Sequence, residues 1–269
     1  MRLPIPIFSG TEIFREIEVE SPRAGVLAET QKAAEQGSLF AAILTLVTGC
    51  VVSIDNITDK SQIRALCRKM PYRDAEYVAV MAVIKISPDD GFEGVYTCPR
   101  CSNRIITEYK EIDGEVIDTR DYISDLPIGL MDDDTQTFSF DLSEAVEIKS
   151  EGNVLESISS FEMRYPTMSD CIIAESKYGN NNSLATQFGI YVQALIKVNG
   201  QEIDVKWKNR FGKLLFDNIR SLRLDLMAIG HEMERYGMVQ SIERTCPSCG
   251  KVWKSQVNTS GFFESALRT

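Results

Sequence analysis

Two short cysteine pairs carry the most chemical information in the chain: Thr97-Cys98-Pro99-Arg100-Cys101 and Thr245-Cys246-Pro247-Ser248-Cys249-Gly250. A Cys-x-x-Cys turn aims two thiolates at one point, and a proline inside it helps to fix the turn. Two such turns supply the four soft ligands of a closed tetrahedral zinc site. The expectation is one structural zinc ion on Cys98, Cys101, Cys246 and Cys249. Three other readings stay open. An iron–sulfur cluster also takes four cysteines. A redox dithiol takes one pair but expects a βαβ context that neither pair shows. The site could also be completed between two chains.

Little else reads as catalytic. The one histidine, His231, falls inside a helical pattern, which is the usual setting of a structural or surface histidine. There is no phosphate-binding loop and no dinucleotide fingerprint. A four-cysteine site leaves no open coordination position, so neither catalysis nor a small-molecule substrate is expected. The run Asp132-Asp133-Asp134 lacks the spaced oxygens and closing glutamate of a calcium loop and reads as a solvated turn. Cys50, Cys67 and Cys171 lie singly in apolar segments and read as buried free thiols.

The net charge of −10 argues against a duplex nucleic-acid binder, which needs fields of Lys and Arg. Arg100, Arg104, Lys251 and Lys254, with Trp253, still cluster about the cysteine pairs, so a zinc-ribbon nucleic-acid-binding regulator is the alternative reading. No apolar run is long and pure enough to span a bilayer, so no membrane partner is expected. Nothing at the start reads as an export signal, which implies a reducing compartment.

The elements that must position the cysteines occur twice in one order. In the first half, Ile13 to Glu20 alternates as a strand and Ser21-Pro22 ends it. Helices are expected over 23–36, 39–48, 61–70 and 74–86, with a turn at 56–59. In the second half, Ser160 to Tyr165 alternates and Pro166 ends it. Helices are expected from Met168 to Tyr178 and from Ser183, with a tight turn at Asn199-Gly200. Phe211, Leu215, Ile219, Leu222, Leu226, Ile229 and Met233 then step by three or four, which predicts one long helix from Arg210 to Tyr236. Pro22 to Cys98 spans 76 positions and Pro166 to Cys246 spans 80, so the registers nearly agree. The 144 residues between Cys101 and Cys246 then amount to about one repeat plus a connector. The expected architecture is mainly α with short β-strands (α+β): two pseudo-symmetric repeats joined by a four-cysteine zinc-ribbon-like site. The first repeat covers 1–110, an acidic connector with a strand at Thr137 to Leu142 covers 111–157, and the second repeat covers 158–269.

The segment from Ile17 to Gly25, the Ala/Leu-rich helix after it and Leu46-Val47-Thr48-Gly49-Cys50 resemble small tail-assembly proteins of contractile-tailed bacteriophages. In the second half, Arg164 to Asp170, the helices, Cys246-Pro247-Ser248-Cys249 and the closing Gly261-Phe262-Phe263 look like the baseplate hub family of T-even-type phages. The resemblance implies a structural or assembly role in the tail baseplate without catalysis. It implies other baseplate, hub or tail-tube proteins as partners, and a location in the virion tail after assembly in the host cytoplasm.

Overall fold

The computed structural model describes residues 1–86, 91–112, 115–132, 134–150, 153–179, 183–217, 223–233, 235–239 and 241–256. The first half opens with β1 (Arg2–Ser9), β2 (Glu12–Val19), α1 (Ala24–Glu35), α2 (Leu39–Cys50), β3 (Val51–Ile54), α3 (Lys60–Lys69) and α4 (Tyr72–Ile84). A series of short strands follows: β4 (Gly91–Phe92), β5 (Gly94–Thr97), β6 (Arg104–Thr107), β7 (Tyr109–Ile112), β8 (Glu115–Asp118), β9 (Asp121–Tyr122) and β10 (Ile128–Gly129). The second half holds β11 (Thr137–Ser150), β12 (Asn153–Arg164), α5 (Met168–Tyr178), α6 (Ser183–Ala194), β13 (Leu195–Val198), β14 (Gln201–Glu202), α7 (Val205–Asp217) and α8 (Arg223–Met233). It closes with β15 (Gly237–Met238), β16 (Ser241–Thr245) and β17 (Val252–Gln256).

The chain is a mixed α+β protein with 38% helix and 39% strand, so the mainly helical expectation is corrected. The surplus strands are those with weak apolar alternation. Pro4 and Pro6 interrupt the pattern of β1, and every residue of β7 and β8 is exposed. Two stretches of the expected long helix are described, and its middle, 218–222, lies outside the described residues. The structure has α7, which starts five residues before Arg210, and α8, which ends at Met233. Asp204 sets the earlier start by accepting the Trp207 N–H at 2.8 Å. Ile219 and Leu222, with the side chains of Phe211, Leu215, Leu226 and Met233, lie outside the described residues, as do Asp133 and Gly261-Phe262-Phe263.

Both halves run strand, strand, helix, helix, strand, with the third strand following its helix without a loop. Equivalent starts fall 144 positions apart: Ala24 and Met168, Leu39 and Ser183, Val51 and Leu195. The ladders repeat in register. Ile17, Glu18 and Val19 face Ile54, Ser53 and Val51, while Phe161, Glu162 and Met163 face Val198, Lys197 and Leu195, with an irregularity at the same step. The turn after the third strand repeats as well. Asp55 and Asn199 both have positive φ, 45° and 50°, a conformation that favours Asn, Asp and Gly. The Asp55 carboxylate accepts the N–H groups of Arg15 and Glu16, and the Asn199 side-chain oxygen accepts those of Ser159 and Ser160. Further on, the third residue of α4, Asp74, accepts the Ile5 N–H of β1, and the third residue of α8, Asp225, accepts the Ser143 N–H of β11.

Each half has its own apolar core. The first gathers Ile7, Ile17, Leu46, Val47, Ile54, Ile63 and Val80; the second gathers Ile148, Ile158, Met163, Phe188, Val192 and Ile229. Cys50, Cys67 and Cys171 are buried in these cores with thiols raised chiefly by desolvation, as expected of packing residues.

The halves meet where α4 and α5 begin. Pro71 and Thr167 form an antiparallel bridge, in which Tyr72 N–H donates to Pro166 and Met168 N–H to Met70, both at 3.0 Å. Phe40 and Tyr72 pack against both cores. Across the same seam, buried Glu175 of α5 caps α2, accepting the Ser38 hydroxyl and, at 3.1 Å, the Leu39 N–H. Two members of the acidic run also serve the fold, since Asp132 pairs with Arg2 and Asp134 with Arg15. No helix among the described residues is long and apolar enough to cross a membrane.

Candidate metal centre

Each cysteine pair sits at the tip of a two-stranded hairpin, β5–β6 or β16–β17. The two turns are built alike. Cys98 N–H donates to the Asn103 carbonyl and Ser102 N–H to the Cys98 carbonyl, at 2.9 and 3.0 Å. Cys246 N–H donates to Lys251 and Gly250 N–H to Cys246, both at 2.9 Å. The turn needs a left-handed residue after the second cysteine. Gly250 (φ 67°) supplies it freely, and Ser102 (φ 58°) adopts it in the first turn.

The structure brings Cys98, Cys101, Cys246 and Cys249 together, with all four sulfurs within 4.8 Å of one another. They can hold a metal ion. The contacts cross between hairpins: Cys98 Sγ lies 3.7 Å from Cys249 Sγ, and Cys101 Sγ lies 3.6 Å from Cys246 Sγ. Thiolates about 2.3 Å from one tetrahedral ion are about 3.8 Å apart, so the separations fit one ion, whereas a disulfide would need about 2.05 Å. The first cysteine of each pair is buried, Cys101 is exposed and Cys249 is intermediate. One edge of the site therefore faces solvent.

The electrostatics call for a cation. At Cys246 burial opposes the thiolate, but the Cys249 and Ser248 N–H groups outweigh it and bring the thiol down to about 6. Cys98 is lowered in the same way, against burial, by the Cys101 and Arg100 N–H groups. At Cys101 the Asn103 N–H favours the thiolate, yet the sulfurs of Cys249, Cys246 and Cys98 and desolvation push it up to about 12. Two thiols are lowered and a third is raised, and four thiolates in one cluster would pack like charges within a few ångströms. A bound divalent ion offsets that repulsion.

A polar cluster absent from the sequence reading lies beneath the hairpins. Arg244 of β16 pairs with Asp121 of β9 at 2.5 Å, and each side chain is only 9% exposed. The Arg244 guanidinium also lies over the Tyr96 ring of β5, 3.4 Å from its centroid, and donates to Ser255. The Tyr96 hydroxyl donates to the same Asp121 oxygen at 2.8 Å. A Cβ on Gly94 would fall 2.5 Å from that hydroxyl, so a side chain there would displace the ring. The available sequence signal was positional: Tyr96 and Arg244 each stand two residues before the first cysteine of their pair.

His231 is exposed on α8. Arg100, Arg104, Lys251 and Lys254 are exposed and Trp253 is half-buried, with Lys254 opposite Glu243 in the β16–β17 ladder. Among the described residues, the four cysteines are the set of metal-ligating side chains close enough to share an ion. The chain matches no protein-family model, no curated protein and no solved structure.

Proposed function

We propose that this protein is a non-catalytic structural part of a phage tail baseplate, or an assembly factor for one, built from two copies of one unit and clamped by a zinc ion. The observation that carries this reading is the convergence of two hairpin tips, Cys98/Cys101 and Cys246/Cys249, on one four-sulfur cluster. The duplication rests on the 144-residue offset of the two β–β–α–α–β units, their common ladder register and the paired Asp55 and Asn199 turns. Zinc is favoured over an iron–sulfur cluster because a cluster spreads its cysteines over several iron atoms, whereas these sulfurs fit around one. Four thiolates leave no position for a substrate, which favours a structural ion.

The assignment to the baseplate rests on the resemblance of the β2–α1–α2 segment, the Arg164–Asp170 segment and the cysteine turns to tail-assembly and hub proteins of contractile-tailed phages. On this reading the partners are other baseplate, hub or tail-tube proteins, and the ion holds the two units in fixed orientation for them. Mass spectrometry of purified virions and of baseplate intermediates tests the assignment, with the chain expected in one or both. Its absence from both, with a salt-dependent shift of DNA or RNA on adding the protein, replaces it with the nucleic-acid reading.

A further inference from the structure

The Arg244–Asp121–Tyr96 cluster belongs to neither hairpin alone. Tyr96 comes from the first hairpin, Arg244 from the second, and Asp121 from the chain between the two halves. Tyr96 and Arg244 occupy equivalent positions, each two residues ahead of a buried cysteine, Cys98 or Cys246. One Asp121 oxygen receives both the guanidinium and the phenol, and the guanidinium carbon lies 3.4 Å from the centroid of the phenol ring. Three groups from three segments therefore satisfy one another, with the Arg244 and Asp121 side chains each only 9% exposed.

We propose that Asp121 is the keystone that docks the two hairpins before any metal binds, so that the four thiols are already converged when the ion arrives. This rests on the metal-clamp reading of the same site and adds its positioning residues. Each two-stranded hairpin is marginal alone, and bringing two of them together costs orientational freedom. Without a prior lock, that cost falls on metal binding and weakens it. A buried ion pair suits a lock better than apolar contact alone, because leaving Arg244 or Asp121 unpaired is costly and only one register pairs them. The planar guanidinium adds orientation, since its stacking on Tyr96 and its bonds to Asp121 and Ser255 fix it in two directions. Tyr96, Asp121 and Arg244 touch no ligand atom; they set where Cys98 and Cys246 stand.

The test uses the full chain, stripped of metal and titrated with cobalt(II) or with zinc against a chromophoric chelator. In the wild type, cobalt should give the absorption of a tetrahedral four-thiolate site. Asp121→Asn keeps the shape but removes the charge, and its metal affinity should fall about 10- to 100-fold, the usual range for residues that support metal ligands from behind. The double variant Asp121→Leu/Arg244→Met leaves no lone buried charge, so its fold should survive while affinity drops in the same way. Tyr96→Phe should lose less, because the stacking remains. Unchanged affinity in both Asp121→Asn and the double variant, with native far-UV circular dichroism, would overturn the proposal. If the wild type gives no tetrahedral thiolate spectrum at all, the metal-clamp reading itself has failed and the lock is withdrawn with it.

Discussion

Two of the seams at which the halves of the molecule meet differ in construction. The body seam joins α2, α4 and α5 through backbone hydrogen bonds at Pro71 and Thr167, the Glu175 cap and the rings of Phe40 and Tyr72. The hairpin seam joins β5–β6 to β16–β17, each only two strands wide, through four sulfurs and one largely covered ion pair. The first seam is an extension of two cores. The second has almost no core: of the hairpin side chains, the buried ones are Cys98, Thr107, Cys246 and Ser255. Its four sulfurs can hold a metal ion, and in small metal-bound modules such an ion does the work that burial does elsewhere.

That contrast predicts separable failures. The largest belongs to the metal. Cys98→Ser or Cys246→Ser removes a ligand from an ion whose binding is worth on the order of 10 kcal/mol in small zinc modules. The hairpins should undock and become protease-sensitive while the body keeps its circular dichroism. Loss of the body fold in these variants would mean that the seams are not independent. Next in size is Glu175→Ala, which strips the Ser38 hydroxyl and the Leu39 N–H of a buried charged acceptor and should cost about 2–3 kcal/mol in a urea melt. Its metal content should stay at the wild-type value, and a loss of metal would again break the distinction.

The two helix starts at the body seam sharpen the comparison further. Asp170, third residue of α5, closes a capping box with Thr167 and binds Arg164 through both oxygens, at 2.5 and 2.9 Å. Burial works against its charge, but Arg164 and Thr167 outweigh it and hold the carboxyl below its ordinary range. Asp74, third residue of α4, has only the Ile5 N–H; its other oxygen has no hydrogen-bond partner, and burial pushes it well above the ordinary range. The pH effects therefore have opposite signs. The contribution of Asp170 is present above its unfolded value of about 3.9 and fades as pH falls through the lower folded value. Asp74 stabilises most below about 3.9, where both states are protonated, and its contribution declines as pH rises towards the raised folded value. Asp170→Asn should cost about 1–2 kcal/mol at neutral pH, discounted because Arg164 is partly exposed. Asp74→Asn should change stability by less than about 1 kcal/mol, in the stabilising direction at neutral pH. Urea melts at pH 4 and pH 8 check both signs, and a destabilised Asp74→Asn protein at pH 8 would show that the acid is charged and paired.

Much of the scaffold was legible because the helices announce themselves. Met168 to Tyr178 matches α5 at both ends, since Thr167 and Asp170 form a capping box and Gly179 follows. The Asn199-Gly200 turn was equally plain, because both residues tolerate positive φ. The metal centre was legible from spacing: four cysteines in two turns, at matching distances from Pro22 and Pro166. Strands without a buried face were not, because β7 and β8 show no side-chain period when both faces meet water. The early start of α7 was hidden, because the apolar period that marks the helix begins only at Phe211. Asp121 was invisible for a different reason. Its partners are 25 residues before it and 123 after it, and no local pattern links them.

On the proposed reading, one ion bound by four cysteines of a single chain joins the two halves. X-ray absorption at the metal edge of the purified protein, with the metal counted per chain, decides this. One zinc per chain surrounded by four sulfurs at about 2.3 Å is the predicted result. Iron with metal–metal scattering, half an ion per chain, or a shell containing nitrogen or oxygen in place of a cysteine sulfur would contradict it.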